Sequence, residues 1–133
     1  FCLEGGGLHE ISDFAVRKAR HYSEVEKLMP YAHLEKITSI LRSENGCPND
    51  KLETLTSIIE HLREEINELA EALEKNDLDN ITEEIGDIAF NIFLFAQIGK
   101  EQQEFDIRTI VSKVNQKMVS RHPKVFSGLN YKY

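Results

Sequence analysis

Glu64-Glu65-Ile66-Asn67-Glu68 and Glu83-Glu84-Ile85-Gly86-Asp87, on either side of Asn76-Asp77-Leu78-Asp79-Asn80, form the stretch on which the reading of this chain depends. Glu65 and Glu68 stand three positions apart, as do Glu84 and Asp87. On helices, each pair projects from one side with Cβ atoms roughly 5–6 Å apart. The Asn-Asp turn predicts a helical hairpin in which the two pairs face each other as a cage of carboxylates. Unit charges about 4 Å apart repel by ~4 kcal/mol at an effective dielectric of about 20, so such a cage calls for cations or proton uptake. A divalent metal is the simplest explanation. The competing reading, a solvated acidic face, suits a single Glu-x-x-Glu better than two pairs. A di-iron carboxylate bundle would want Glu-x-x-His from two helices, and His61 with Glu64 gives only the reverse order.

The flanking segments extend the helical pattern. Leu55, Ile58, Ile59, Leu62, Ile66, Leu69 and Leu73 form one long stripe, which predicts a helix from about Leu52 to Lys75. Glu65 borders that stripe and should face a neighbouring helix. A second helix is expected from about Asn80 to Ile98 or Lys100, apolar around much of its circumference and ended by Gly99 and the polar run Lys100 to Glu104. Along one side of it run Glu84, Asp87 and Asn91. Buried polar groups are costly unless paired, so this line, Asn91 included, is expected to serve a site.

Upstream, Leu34, Ile37, Ile40 and Leu41 predict a helix from His33 to about Ser43, and Glu44 to Asp50 reads as a loop. A further helix is expected from Asp13 to about Met29, broken before Pro30. Downstream, Ile107, Ile110, Val111, Val114 and Met118 predict a buried stripe on a helix from about Asp106 to Arg121, stopped by Pro123. That helix also carries a basic ridge of Lys113, Lys117 and Arg121. No stretch alternates as a half-buried strand would. The expected fold is therefore an all-α antiparallel helical bundle. So apolar a central helix is hard to cover within one small subunit, and a homodimer or dimer of dimers is expected to complete the bundle.

The chain has 133 residues and a net charge of -7, enough for one core. The acidic balance disfavours nonspecific nucleic-acid or anionic-membrane binding. There is no membrane-spanning apolar run and no signal-peptide pattern. A cytoplasmic protein is expected, with no nucleic-acid or membrane partner. Cys2 and Cys47 form no C-x-x-C pair and are expected to be free thiols.

Together these residues resemble the MazG-like proteins, a family of all-α nucleoside triphosphate pyrophosphohydrolases. Their metal motif is E-E-x-x-E followed by E-x-x-D, matched by Glu64-Glu65-x-x-Glu68 and Glu84-x-x-Asp87. Gly46-Cys47-Pro48-Asn49-Asp50 is similar to the family's G-C-P-W-D loop, with Asn49 in place of Trp. Lys117 to Phe126 is similar to its K-x-x-R-R-H-P-H-V-F segment, with Ser120 in place of the first Arg. The resemblance implies a catalytic domain over residues 33–126, with residues 1–32 a lead-in and helix of unassigned role and 127–133 a tail. It implies hydrolysis of a nucleoside triphosphate to the monophosphate and pyrophosphate, in nucleotide-pool house-cleaning. Mg²⁺, or Mn²⁺ in its place, would be held by Glu65, Glu68, Glu84 and Asp87, with Lys117 and Arg121 on the triphosphate. Glu64 is the candidate for orienting or deprotonating the attacking water, with Glu83 as its rival. Two alternatives stand beside this reading: a dUTP- or dCTP-directed pyrophosphatase of the same superfamily, and a noncatalytic helical dimer that binds nucleotides or a partner.

Overall fold

The computed structural model describes residues 29–131 and 133, and the helix expected from Asp13 lies outside them but for Met29. The first described helix, α1, spans Pro30–Leu41, with Pro30 at its start where a missing N–H costs nothing. Gly46 then brings the chain back against α1. A Cβ there would sit 2.2 Å from the Leu41 carbonyl oxygen and 2.4 Å from that of Ile40, contacts that only glycine escapes.

The segment read as a loop holds a short helix, α2, Pro48–Leu52. Pro48 opens this helix from its first position. Cys47 is buried and disulfide-bonded, which corrects the free-thiol expectation at that position.

The long stripe forms α3, Leu55–Glu74. Its start is set by a capping box: the Thr54 side chain accepts from the Ser57 N–H at 3.1 Å, and Ser57 Oγ accepts from the Thr54 N–H at 2.8 Å. Asn76, in the left-handed conformation (φ 52°), turns the chain. Asp77 then caps α4, Leu78–Glu101, by accepting from the Asn80 N–H at 3.2 Å. The second helix therefore starts two residues earlier than expected.

At its far end α4 closes at Glu101, one residue beyond the expected Lys100, and takes in Gly99, which was expected with the polar run after it to end the helix. Gly99 is buried under the Phe105 ring, and a Cβ there would lie 2.1 Å from Phe105 Cε2. Phe105 in turn stacks on Phe95, with centroids 5.7 Å apart. The glycine is thus needed for a ring to pack, not for a turn. Next comes α5, Ile107–Arg121, capped by Asp106, whose side chain accepts from the Thr109 N–H at 2.8 Å. Pro123 opens one more turn, α6, Pro123–Phe126.

The regular elements of the described residues are all helices, with no strand among them, as the periodicity required. The hairpin of α3 and α4 makes the principal packing, α1 lies on α4, and α5 meets α4 only briefly. Ile58, Leu94 and Ile98 form the core, flanked by Leu55, Leu62, Phe90 and Phe95. The α4 helix is the most deeply buried. The apolar stripes of α3 and α5 are only partly covered: Ile66 is 55% exposed, Leu73 64%, Val111 43% and Val114 45%. Of the expected α5 stripe Ile107 is buried and Ile110 half-buried, but Val111, Val114 and Met118 are not covered within one chain, because α5 contributes little to the bundle.

Candidate metal centre and adjoining cleft

Facing turns of α3 and α4 bring Glu65, Glu84 and Asp87 together, with one carboxylate oxygen of each within 4.8 Å of the others. Glu68, the fourth member of the expected cage, is more exposed, and its carboxyl group lies against that of Glu84. This contact, together with the surrounding negative charge, pushes the Glu68 pKa above the usual carboxylate range. Glu84 is pushed up in the same direction, first by the Glu65 carboxyl group against it and then by loss of solvent.

The Oε2 atoms of Glu65 and Glu84 are buried and have no hydrogen-bond partner among the described residues. A buried acceptor without a donor is costly, and two on facing helices more so. A hard divalent cation suits this arrangement: the donors are all oxygen, their negative charges converge, and two of them lack any other partner.

Asn91, one turn beyond Asp87, is only 7% exposed, and its Nδ2 donates to the Asp87 carbonyl at 3.0 Å. It lines a cleft of about 120 Å³ that adjoins the carboxylates and is walled by Asn49, Asp50, Glu53, His61, Glu65 and the apolar Ile58, Phe90 and Leu94. Glu53 is fixed from two sides: Ser57 Oγ donates to its Oε2, and His61 Nε2 lies 2.9 Å from its Oε1. Burial acts to raise the Glu53 pKa, but these two contacts outweigh it and hold the carboxyl group below its ordinary range. Burial raises the Asp50 pKa.

The wall itself is held by Arg42. One guanidinium nitrogen donates to the Asp50 carbonyl at 2.7 Å and the Glu53 carbonyl at 2.9 Å, while Nε pairs with Glu101 at 2.7 Å. The end of α1, the capping segment of α3 and the end of α4 are thereby tied together.

The remaining sequence candidates lie outside the cleft. Glu64 and Glu83 are exposed beside the cluster. Lys117 and Arg121 are exposed on α5 and do not line the cleft. Sequence reading missed Asp50, Glu53 and His61 as neighbours of the carboxylates. Asp50 sits in a motif that was noticed, but only the Arg42 tether shows that the segment folds back toward α3.

A helical hairpin that brings three carboxyl groups together, with Glu68 against one of them, beside a small polar cleft is an all-α arrangement that could hold a metal ion. Residues 53–126, more than half of the chain, match the model of the MazG nucleotide pyrophosphohydrolase domain. The chain is 40% identical over 106 residues to the uncharacterised protein YabN of Bacillus subtilis, an alignment covering 78% of this chain and 22% of that protein. It is 36% identical over 105 residues to the nucleoside triphosphate pyrophosphohydrolase/pyrophosphatase MazG of Thermotoga maritima, covering 77% of this chain and 41% of that one. It is 37% identical over 84 residues to the nucleoside triphosphate pyrophosphohydrolase of Escherichia coli K12, covering 63% and 32%. The chain thus spans less than half the length of these relatives. It belongs to the MazG nucleotide pyrophosphohydrolase family.

Proposed function

We propose that this domain hydrolyses nucleoside triphosphates to the monophosphate and pyrophosphate in a Mg²⁺-dependent reaction, with Mn²⁺ able to substitute. The observation that carries the reading is the pair of buried, unpartnered oxygens on Glu65 and Glu84 within a three-carboxylate group. Family membership and the names of the relatives supply the reaction class.

Glu65, Glu68, Glu84 and Asp87 would hold the ion. When bound, Mg²⁺ supplies positive charge for the phosphate oxygens and lowers the pKa of a water. Glu64, next to a ligand yet solvent-facing, orients and deprotonates the attacking water, and Asn91 contacts substrate from the cleft floor. Lys117 and Arg121 offset charge on the triphosphate. A homodimer covers the apolar stripe that α5 leaves exposed.

The test is product analysis with a panel of nucleoside and deoxynucleoside triphosphates, with and without Mg²⁺. The expected products are monophosphate and pyrophosphate, formed only with metal and reduced at least about 100-fold in Glu68→Gln. Release of a diphosphate and orthophosphate, or full activity in Glu68→Gln, would refute the reading.

A further inference from the structure

The cleft wall formed by residues 49–53 has little of its own to hold it in place. The five residues of α2 are far fewer than the ~12–15 at which an isolated helix becomes even marginal in water, so its position depends on tertiary contacts. Apolar burial does not supply them: none of its residues is buried, and Leu52 is 80% exposed. Its start is fixed by the buried Cys47, whose N–H donates to the Leu41 carbonyl at 2.8 Å. Lys51 adds an exposed bond to the Glu44 carbonyl. What fixes the end is Arg42.

A single nitrogen of its guanidinium, Nη1, serves the carbonyls of both Asp50 and Glu53. Its Nε donates to the two Glu101 carboxylate oxygens at 2.7 and 3.3 Å, so the end of α4 keeps the guanidinium aimed at the wall. The Arg42 side chain is only 12% exposed, and hydrogen bonds from a charged donor are roughly twice as strong as neutral ones. Both carbonyls belong to residues that line the cleft. Glu53 is gripped from two directions: its carbonyl by Arg42, its carboxylate by Ser57 and His61. Any shift of this backbone moves the wall.

We propose that Arg42, steadied by Glu101, is a positioning residue for the reaction: it sets nucleotide affinity by holding residues 50–53 in place, although neither Arg42 nor Glu101 lines the cleft. The proposal rests on the pyrophosphohydrolase reading, in which substrate is contacted from this cleft. The metal-site carboxylates lie on the α3–α4 hairpin, which has its own apolar core, so the effect of Arg42 falls on binding and not on the metal centre. Lysine is no substitute, because one ammonium cannot span two carbonyls and a carboxylate as a planar guanidinium does.

The experiment compares wild type, Arg42→Lys, Arg42→Gln and Glu101→Ala in three readouts: kcat and KM for the triphosphate panel, calorimetric binding of the α,β-methylene analogues of ATP, GTP, CTP and UTP, and the rise in melting temperature on adding Mg²⁺. Both Arg42 variants are expected to raise KM and weaken analogue binding by roughly tenfold or more. Their kcat should stay within about threefold of wild type, and their response to Mg²⁺ should be intact. Glu101→Ala, which leaves the two carbonyl bonds in place, should weaken binding by only about threefold. Wild-type KM and binding in a folded Arg42→Gln, or full rescue by Arg42→Lys, would overturn the inference while leaving the hydrolase reading intact. So would a loss of kcat and of the Mg²⁺ response in step with binding, the mark of general loosening. Should neither Arg42 variant fold, Glu101→Ala decides, and unchanged binding there overturns the inference. If wild type binds the analogues but hydrolyses no triphosphate, the hydrolase reading fails and the binding data alone judge Arg42; if it binds none of them, both fail.

Discussion

Gly99 shows how a single side chain's absence can organise a helix end. Alanine is preferred to glycine inside a helix by about 1 kcal/mol, so on propensity alone Gly99→Ala should stabilise α4. Its Cβ, however, would enter the space of the Phe105 ring, which is itself stacked on Phe95. Overpacking of this kind costs about 1–3 kcal/mol. Gly99→Ala is therefore expected to be destabilising or at best neutral by urea unfolding, and a gain approaching 1 kcal/mol would show that Phe105 moves aside freely. The same residue marks a limit of sequence reading. A glycine near the end of an apolar run signals a helix terminus, and nothing local reveals that an aromatic six positions later folds back onto it. The carboxylates are the opposite case. Their spacing and their place at the border of an apolar stripe specify convergence, and Glu65, Glu84 and Asp87 do converge.

Among the elements, α3 and α4 are legible because twenty and twenty-four residues of sustained periodicity leave little room for another reading. Their starts shift by two or three residues because the caps at Thr54 and Asp77 outrank the apolar pattern in fixing where a helix begins. The short α2 was hidden by Pro48, which marks a loop as readily as a first helical turn. In α5, periodicity identifies the apolar face but not what covers it. Val111, Val114 and Met118 remain between 39% and 45% exposed. If a second copy buries them, as proposed, wild type should run as a dimer by sedimentation, and Val114→Glu should shift it toward monomer without loss of helicity. A wild-type monomer at micromolar concentration would remove the homodimer from the account.

At the scale of the whole molecule, the bundle brings together two features that the sequence keeps apart: the carboxylate hairpin and the acceptor-lined wall of residues 49–53. Arg42 makes the junction, reaching from α1 to the Asp50 and Glu53 carbonyls and to Glu101 on α4. Helical periodicity contains no record of such a tether, so the cleft could not be read in advance although its neighbour could. The same bundle holds Glu65 and Glu84 face to face with their inner oxygens unpartnered, an arrangement that costs stability until a cation or a proton arrives. A ligand that binds only the folded state raises its stability in proportion to the logarithm of concentration over Kd. The most direct measurement is the melting temperature of wild type and Glu84→Gln at neutral pH, with and without millimolar Mg²⁺. Wild type should gain several degrees on adding metal, while Glu84→Gln should melt higher than metal-free wild type and respond little to Mg²⁺. Equal responses of the two proteins to Mg²⁺, or a Glu84→Gln variant less stable than metal-free wild type, would contradict the carboxylate cluster as the metal centre.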